Sequence, residues 1–189
     1  YDYIFVSYSV FLLGFLDDLR INIKPLKRLL IMVFVLFIII FFLPIRILNI
    51  DIPFLAYLMS NHIFSSIFVL LCFLFIINGA NLIDGFNGLL TINLIIINIV
   101  LTYININNLN FEFSILIISQ IIILLSFLLF NFPTAKIFLG DSGAYTMGAL
   151  TSLNTIITNN LNPEISSFFF CTLLFYLFFE VFFSFFRKL

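Results

Sequence analysis

The chain has no tryptophan, one histidine, two cysteines, five prolines and seven glycines in 189 residues. Charge is as scarce: eight basic and nine acidic side chains make up 9% of the sequence, where a soluble domain carries roughly 25%. That shortage, with 63% hydrophobic residues and a mean hydropathy of +1.27, excludes an ordinary soluble globular domain. Cys72 and Cys171 each sit inside an apolar run and read as packing residues, which excludes a disulfide framework or a thiolate metal site. Alternation of polar and apolar residues is missing, so a membrane β-barrel is excluded too. No charged leader with a small-residue cleavage site precedes a bounded apolar core, so the start is not a signal peptide. No internal repeat, low-complexity linker or second domain is visible. The 29 phenylalanines read as lipid-facing filler and carry no function. A formal net charge of −1 says nothing about partners, and no nucleic acid is expected.

What is present is a series of long apolar runs: Leu29 to Ile45, Ile63 to Ile77, Leu89 to Ile104, Phe113 to Phe130 and Ile165 to Phe186. Each approaches the ~17–25 residues that a helix needs to cross a bilayer. The expected fold class is all-α, a polytopic transmembrane helix bundle with cytoplasmic active-site loops. About seven helices are expected, near 3–16, 29–48, 63–79, 89–104, 113–130, 143–158 and 165–186, with boundaries good to a few residues. The sixth is diluted by Thr146, Thr151, Ser152, Asn154 and Thr155, which suits a helix packed within the bundle. The chain is read as one integral-membrane domain, 1–189, cut at both ends. Alternating crossings place Arg20, Lys24, Lys27, Arg28, Lys136, Arg187 and Lys188 on one face and Arg46 toward the other. The positive-inside rule makes the first face cytoplasmic. Asp51, Glu112 and Glu164 fall in short loops on the other face and read as solvated.

The remaining charges form three clusters on that first face. An ionisable group at membrane depth is costly and by default marks function. Asp17-Asp18 closes the first helix. A helix C-terminus disfavours negative charge, so the pair needs another reason to be there. The carboxylates can handle a proton or a metal while Arg20, Lys24 and Lys27 hold anions; a solvated helix end is the plain alternative. The stretch Asn78-Gly79-Ala80-Asn81-Leu82-Ile83-Asp84-Gly85-Phe86-Asn87-Gly88 mixes glycines, amides and a carboxylate. Glycines let backbone N–H groups face a ligand, and amide and carboxylate oxygens are hard ligands suited to Mg²⁺. Its plain alternative is a polar turn. Lys136-Ile137-Phe138-Leu139-Gly140-Asp141-Ser142-Gly143 sets a lysine, an aromatic ring and a carboxylate ahead of a helix N-terminus, where anions are favoured. Phe138 can stack on a base while Asp141 binds metal. Together the clusters ask for a metal-bound nucleoside diphosphate met at the membrane surface, with a lipid as co-substrate.

At these residues the chain resembles the polyprenyl-phosphate N-acetylhexosamine-1-phosphate transferases, the membrane family (glycosyltransferase family 4) that includes phospho-MurNAc-pentapeptide translocase. Three motifs in family order carry the resemblance: Asp17-Asp18, the Asn78–Leu89 stretch, and Ala135–Gly143. It implies a Mg²⁺-dependent transferase, with Mn²⁺ as substitute, in the inner (cell) membrane, facing the cytoplasm. A sugar-1-phosphate would pass from a UDP-sugar donor to a polyprenyl (undecaprenyl) phosphate acceptor, releasing UMP and starting cell-envelope polysaccharide, lipopolysaccharide or other glycan synthesis. By resemblance, Asp141 and Asn81 ligate the metal, Asp17 and Asp18 position or deprotonate the lipid phosphate, and Asp84 organises the diphosphate site. Phe138 stacks on uracil, Gly85 and Asn87 line the nucleoside pocket, and Lys27 and Lys136 meet substrate. Position 87 is Asn where many members carry Asp, which leaves it hydrogen bonding but no charge. The family's closing His-rich motif is not found; His62 lies on the other face. Glu180 matches an acidic family position and is either structural or cavity-lining. A homodimer is compatible with all of this. The wording of residues 81–88 favours a plain UDP-N-acetylhexosamine donor over the muramoyl-pentapeptide donor. From another class, an ion-coupled transporter would place its charges near mid-membrane on broken helices, whereas here all but Glu180 sit at helix ends.

Overall fold

In the computed structural model, residues 2–19, 24–43 and 45–187 are described, and they form nine helices with no strand among them. The helices are α1 (Asp2–Asp18), α2 (Pro25–Phe42), α3 (Pro53–Met59), α4 (His62–Ile83), α5 (Leu89–Asn107), α6 (Phe111–Asn131), α7 (Gly140–Leu161), α8 (Ser167–Leu173) and α9 (Phe175–Arg187). Pro25 and Pro53 open α2 and α3, where the missing N–H costs nothing. Asn61 caps α4 by accepting from Ile63 N (2.9 Å) and Phe64 N (3.2 Å). Gly88, at φ 71°, turns the chain into α5.

Several expectations change. Among the described residues, four helices can by length and composition cross a membrane (α2, α4, α5 and α6), with α8 and α9 a fifth if taken as one span, against about seven expected. At 17 residues α1 is short, and α7 is too polar to meet the same test. The expected last crossing breaks by 59° between α8 and α9. Helix α2 stops at Phe42 rather than 48, because Leu43 is extended ahead of Pro44, as a residue before proline tends to be. The short α3 was not anticipated. Helix α4 runs on to Ile83, so Asn81 lies in its last turn rather than in a loop, and α7 begins at Gly140, so Asp141 lies in a first turn.

The polar helix α7 runs through the centre, packed on α1, α4 and α5. One apolar core joins α1, α2, α4 and α7 through residues such as Val10, Leu36, Phe73 and Tyr145. A second joins α4 to α9 through Ile76, Leu94, Leu101, Ile117 and Leu177. Small residues set the closest approaches: a Cβ added at Gly14 would lie 2.4 Å from Ser142 Cα, and one at Gly79 would lie 2.2 Å from Leu177 O. The amides that dilute α7 bond across helices. Asn154 Nδ2 donates to Asn98 Oδ1 (3.0 Å) and Gln120 Oε1 (2.8 Å), and Tyr3 donates to Asn154 Oδ1. Asn105 Nδ2 donates to Thr158 Oγ1 at 2.8 Å. The periphery is apolar, with Phe34, Ile115 and Leu129 exposed as in a surface that meets lipid. This is a multi-pass helical membrane protein.

Candidate active site

The three clusters meet at one end of the bundle, where α1 and α4 end and α2 and α7 begin. Asp18, on the last turn of α1, accepts from the backbone N–H groups of Asp141 and Ser142, each at 2.9 Å. Asp84, just past α4, accepts from Gly140 N (3.0 Å) and Leu139 N (3.4 Å). These two carboxylates therefore cap the start of α7, where the unpaired N–H groups and the positive end of the helix dipole favour negative charge. Asp18 stands at the end of its own helix because it serves the start of another. The N-terminus expected to receive a ligand anion is filled by the protein's own carboxylates.

The cap fixes Asp141. Asn81 Nδ2 donates to Asp141 Oδ1, and Arg28 Nη1 lies 3.4 Å from Asp141 Oδ2. Arg28 also faces Asp17, with Nε 3.7 Å from Oδ2, and the Tyr145 hydroxyl approaches the same oxygen at 3.5 Å. The Asp17 side chain is only 8% exposed, so its charge leans on Arg28. Burial raises the Asp17 pKa and outweighs the pull of Arg28, with Asp141 adding repulsion. Burial also raises Asp84, against the backbone N–H groups of Gly140 and Leu139. Burial acts the same way on Asp18, but the Ser142 side chain and the N–H groups of Ser142 and Asp141 outweigh it and hold that carboxyl below its ordinary value.

Around this centre lie the residues expected to bind substrate. Lys27, Lys136, Gly85 and Asn87 are exposed, and Phe138 is 49% exposed. A Cβ built on Gly85 meets nothing within 4 Å, so packing does not dictate glycine there. Asn87 Nδ2 donates to Pro133 O at 3.1 Å, which ties the 84–88 turn to the 132–139 segment. Lys27 makes no ion pair among the described residues; Arg28, beside it, reaches the carboxylates. Arg20 and Lys188 lie outside the described residues. Glu180 is half-buried on α9.

Sequence reasoning passed over Arg28, Tyr145 and Asn131. Asn131 accepts from Gly88 N (2.7 Å) through Oδ1 and donates to Ile137 O (2.7 Å), binding both motif loops to the end of α6. Its signal was an amide closing an apolar run. Arg28 was counted only toward orientation, though its place one turn into α2 points it back at the first helix.

A divalent ion fits this donor set. Asp141 and Asn81 supply hard oxygens once the amide is turned, a rotation that exchanges two near-equivalent atoms. Four carboxylates gather here, and Arg28 is the one cation paired with them among the described residues. Among the described residues no three acidic, His or Cys groups are placed to hold a metal ion together, so Asp141 and Asn81 alone would hold it; Mg²⁺ is commonly held by one or two carboxylates with substrate phosphates completing the shell.

The profile of glycosyl transferase family 4 matches residues 2–159. The chain belongs to that family. Among curated relatives, the phospho-N-acetylmuramoyl-pentapeptide-transferase of Leuconostoc mesenteroides is 42% identical over 80 residues, covering 42% of this chain and 25% of that protein. Its namesake in Streptococcus sanguinis is 37% identical over 89 residues, covering 47% and 27%. In Orientia tsutsugamushi the figures are 35% over 116 residues, 50% and 32%. The matches thus span a quarter to a third of the length of these relatives.

Proposed function

We propose that this family 4 chain carries the catalytic centre of a phosphoglycosyl transferase that moves a sugar-1-phosphate from a UDP-sugar to polyprenyl phosphate and releases UMP. The convergence of Asp17, Arg28, Asn81 and Asp141 from four helices carries the reading. An oxygen of the lipid phosphate attacks the sugar-bearing phosphorus; the bond from that phosphorus to the UMP oxygen breaks, and UMP leaves with the electron pair. One diphosphate linkage replaces another, so the exchange is close to balanced. The difficulty is to bring two anions into line, and positioning with charge stabilisation supplies most of such catalysis.

In this reading Asp141 and Asn81 hold Mg²⁺, which when bound neutralises charge on the diphosphate. Asp17 takes the proton from the lipid phosphate, a task suited to a carboxylate whose pKa burial has raised. Arg28 holds Asp17 and Asp141 apart as anions and offers its guanidinium to the incoming phosphate. Asp18 and Asp84 act through the α7 cap, which places Asp141. Phe138 and the Gly85–Asn87 turn receive the nucleoside, and Lys27 and Lys136 meet phosphate oxygens. The end that bears these residues faces the cytoplasm of the inner membrane, in accord with the seven of eight basic residues expected on that side.

The names of the curated relatives favour a UDP-muramoyl-pentapeptide donor; the wording of residues 81–88 favours a plain UDP-N-acetylhexosamine. Donor screening of the intact enzyme in membranes, reading UMP release with and without chelator, separates the two. No release with any UDP-sugar in the presence of polyprenyl phosphate and Mg²⁺ would refute the proposal.

A further inference from the structure

The opposite end of the bundle holds a cavity that this chemistry does not use. It measures about 170 Å³ and lies between the 45–52 segment, α4, α7 and α8. Phe68, Cys72 and Ile76 line it at successive turns of α4, so it runs some ~12 Å along that helix. It is larger than the ~150 Å³ apolar cavities known to admit benzene. The Ser152 and Thr155 hydroxyls on its wall are spent on Gly148 O (3.0 Å) and Thr151 O (2.8 Å) of their own helix.

Only its outer end is polar, and there the unspent groups are acceptors. Asn159 is 4% exposed; its Nδ2 donates to Asn49 O at 3.1 Å, while its buried Oδ1 has no partner. Asp51 Oδ2 accepts from Ser166 Oγ (2.5 Å) and Ser167 N (2.8 Å), and Oδ1 has no partner among the described residues. These bonds to Ser166 and Ser167 hold the exposed Asp51 carboxyl below its ordinary pKa, so it is charged. No Lys or Arg lines the cavity.

We propose that this cavity binds one acyl chain of a membrane lipid whose headgroup carries an ammonium group, with N–H donors meeting Asp51 and Asn159. The apolar length takes the chain, a buried acceptor asks for a donor, and an anion at the mouth with no cation in the lining selects a positive group and rejects a bare phosphate. It is a site apart from the one assigned to the phosphorylated acceptor.

The intact protein in nanodiscs of equal phosphatidylethanolamine and phosphatidylglycerol, released into a native mass spectrometer, tests this. The wild type should retain the ethanolamine lipid by about threefold over the glycerol lipid, the effect of an exposed ion pair. Asp51→Asn keeps an acceptor for Ser167 and should abolish the preference. Ile156→Trp should fill the cavity and remove retention of both. Glu112→Gln, another carboxylate at this end, should change nothing. Equal retention of the two lipids by the wild type, or a preference that survives Ile156→Trp, would each overturn the proposal.

Discussion

Replacing Asp18 separates a capping role from direct chemistry. Its carboxylate receives two backbone N–H groups at 2.9 Å at the start of α7. Loss of a side-chain cap costs ~0.5–2 kcal/mol, and loss of a charge beside a helix N-terminus a further ~0.3–1. Asp18 is exposed, which keeps the sum toward the lower end, so Asp18→Ala should destabilise by about 1 kcal/mol. Asp18→Asn retains an acceptor and should lose about half of that. The chain lacks tryptophan, so thermal unfolding is best followed by far-UV circular dichroism in detergent. In the transfer assay, misplacing Asp141 by about 1 Å should cost on the order of 100-fold, so Asp18→Ala should fall that far and Asp18→Asn much less. If Asp18 itself accepted a proton, the amide would be as inactive as alanine. Equal inactivity of the two variants with unchanged melting would refute the capping argument.

Asp141→Ala in the intact enzyme should abolish UMP release while membrane insertion persists, and Cys72→Ala should be nearly silent in the same assay. Gly14→Ala forces a Cβ to within 2.4 Å of Ser142 Cα; it should cost ~1–3 kcal/mol as overpacking and lower activity by pushing α1 off the α7 cap, both read by melting and turnover. Because the folded Asp18 pKa is depressed, its stabilisation is full above the unfolded value near ~3.9 and is lost as pH falls through the folded value. Asp84, raised by burial, acts in the opposite sense, its contribution weakening as pH rises from the unfolded value through the folded one. Melting of Asp18→Asn across acid pH should therefore lack the wild type's acid-side loss. Arg28→Lys should keep one ion pair but not both, and lower turnover more than expression.

Composition and charge placement revealed the helical membrane class, and they brought Asp17, Asn81, Asp84 and Asp141 to one end before any coordinates. Those features depend on side-chain chemistry repeated along the chain. What stayed hidden depends on partners distant in sequence. Asp18 and Asp84 looked like ligand-handling groups because nothing local shows that the N–H groups they accept belong to residues 139–142. The break at Leu174 sits in a run of Phe, Leu and Thr without Pro or Gly, so nothing local marks it; beyond it Leu177 of α9 packs against Gly79 of α4. Helix α3, seven residues long, is too short to show a helical period in the sequence.

The polar character of α7 has a consequence for how the protein is made. Asn154, Thr158 and Asn159 are buried in the finished bundle, yet α7 alone would present them to hydrocarbon. Amides and hydroxyls there find no solvent partner, so the segment has little drive to leave the translocation machinery for lipid on its own. Helices α5 and α6 emerge first and carry Asn98, Asn105 and Gln120, which are the acceptors and donors it requires. Insertion of α7 is therefore a docking step, timed by the arrival of its neighbours, and the carboxylate centre at its tip comes into being only when that step is complete.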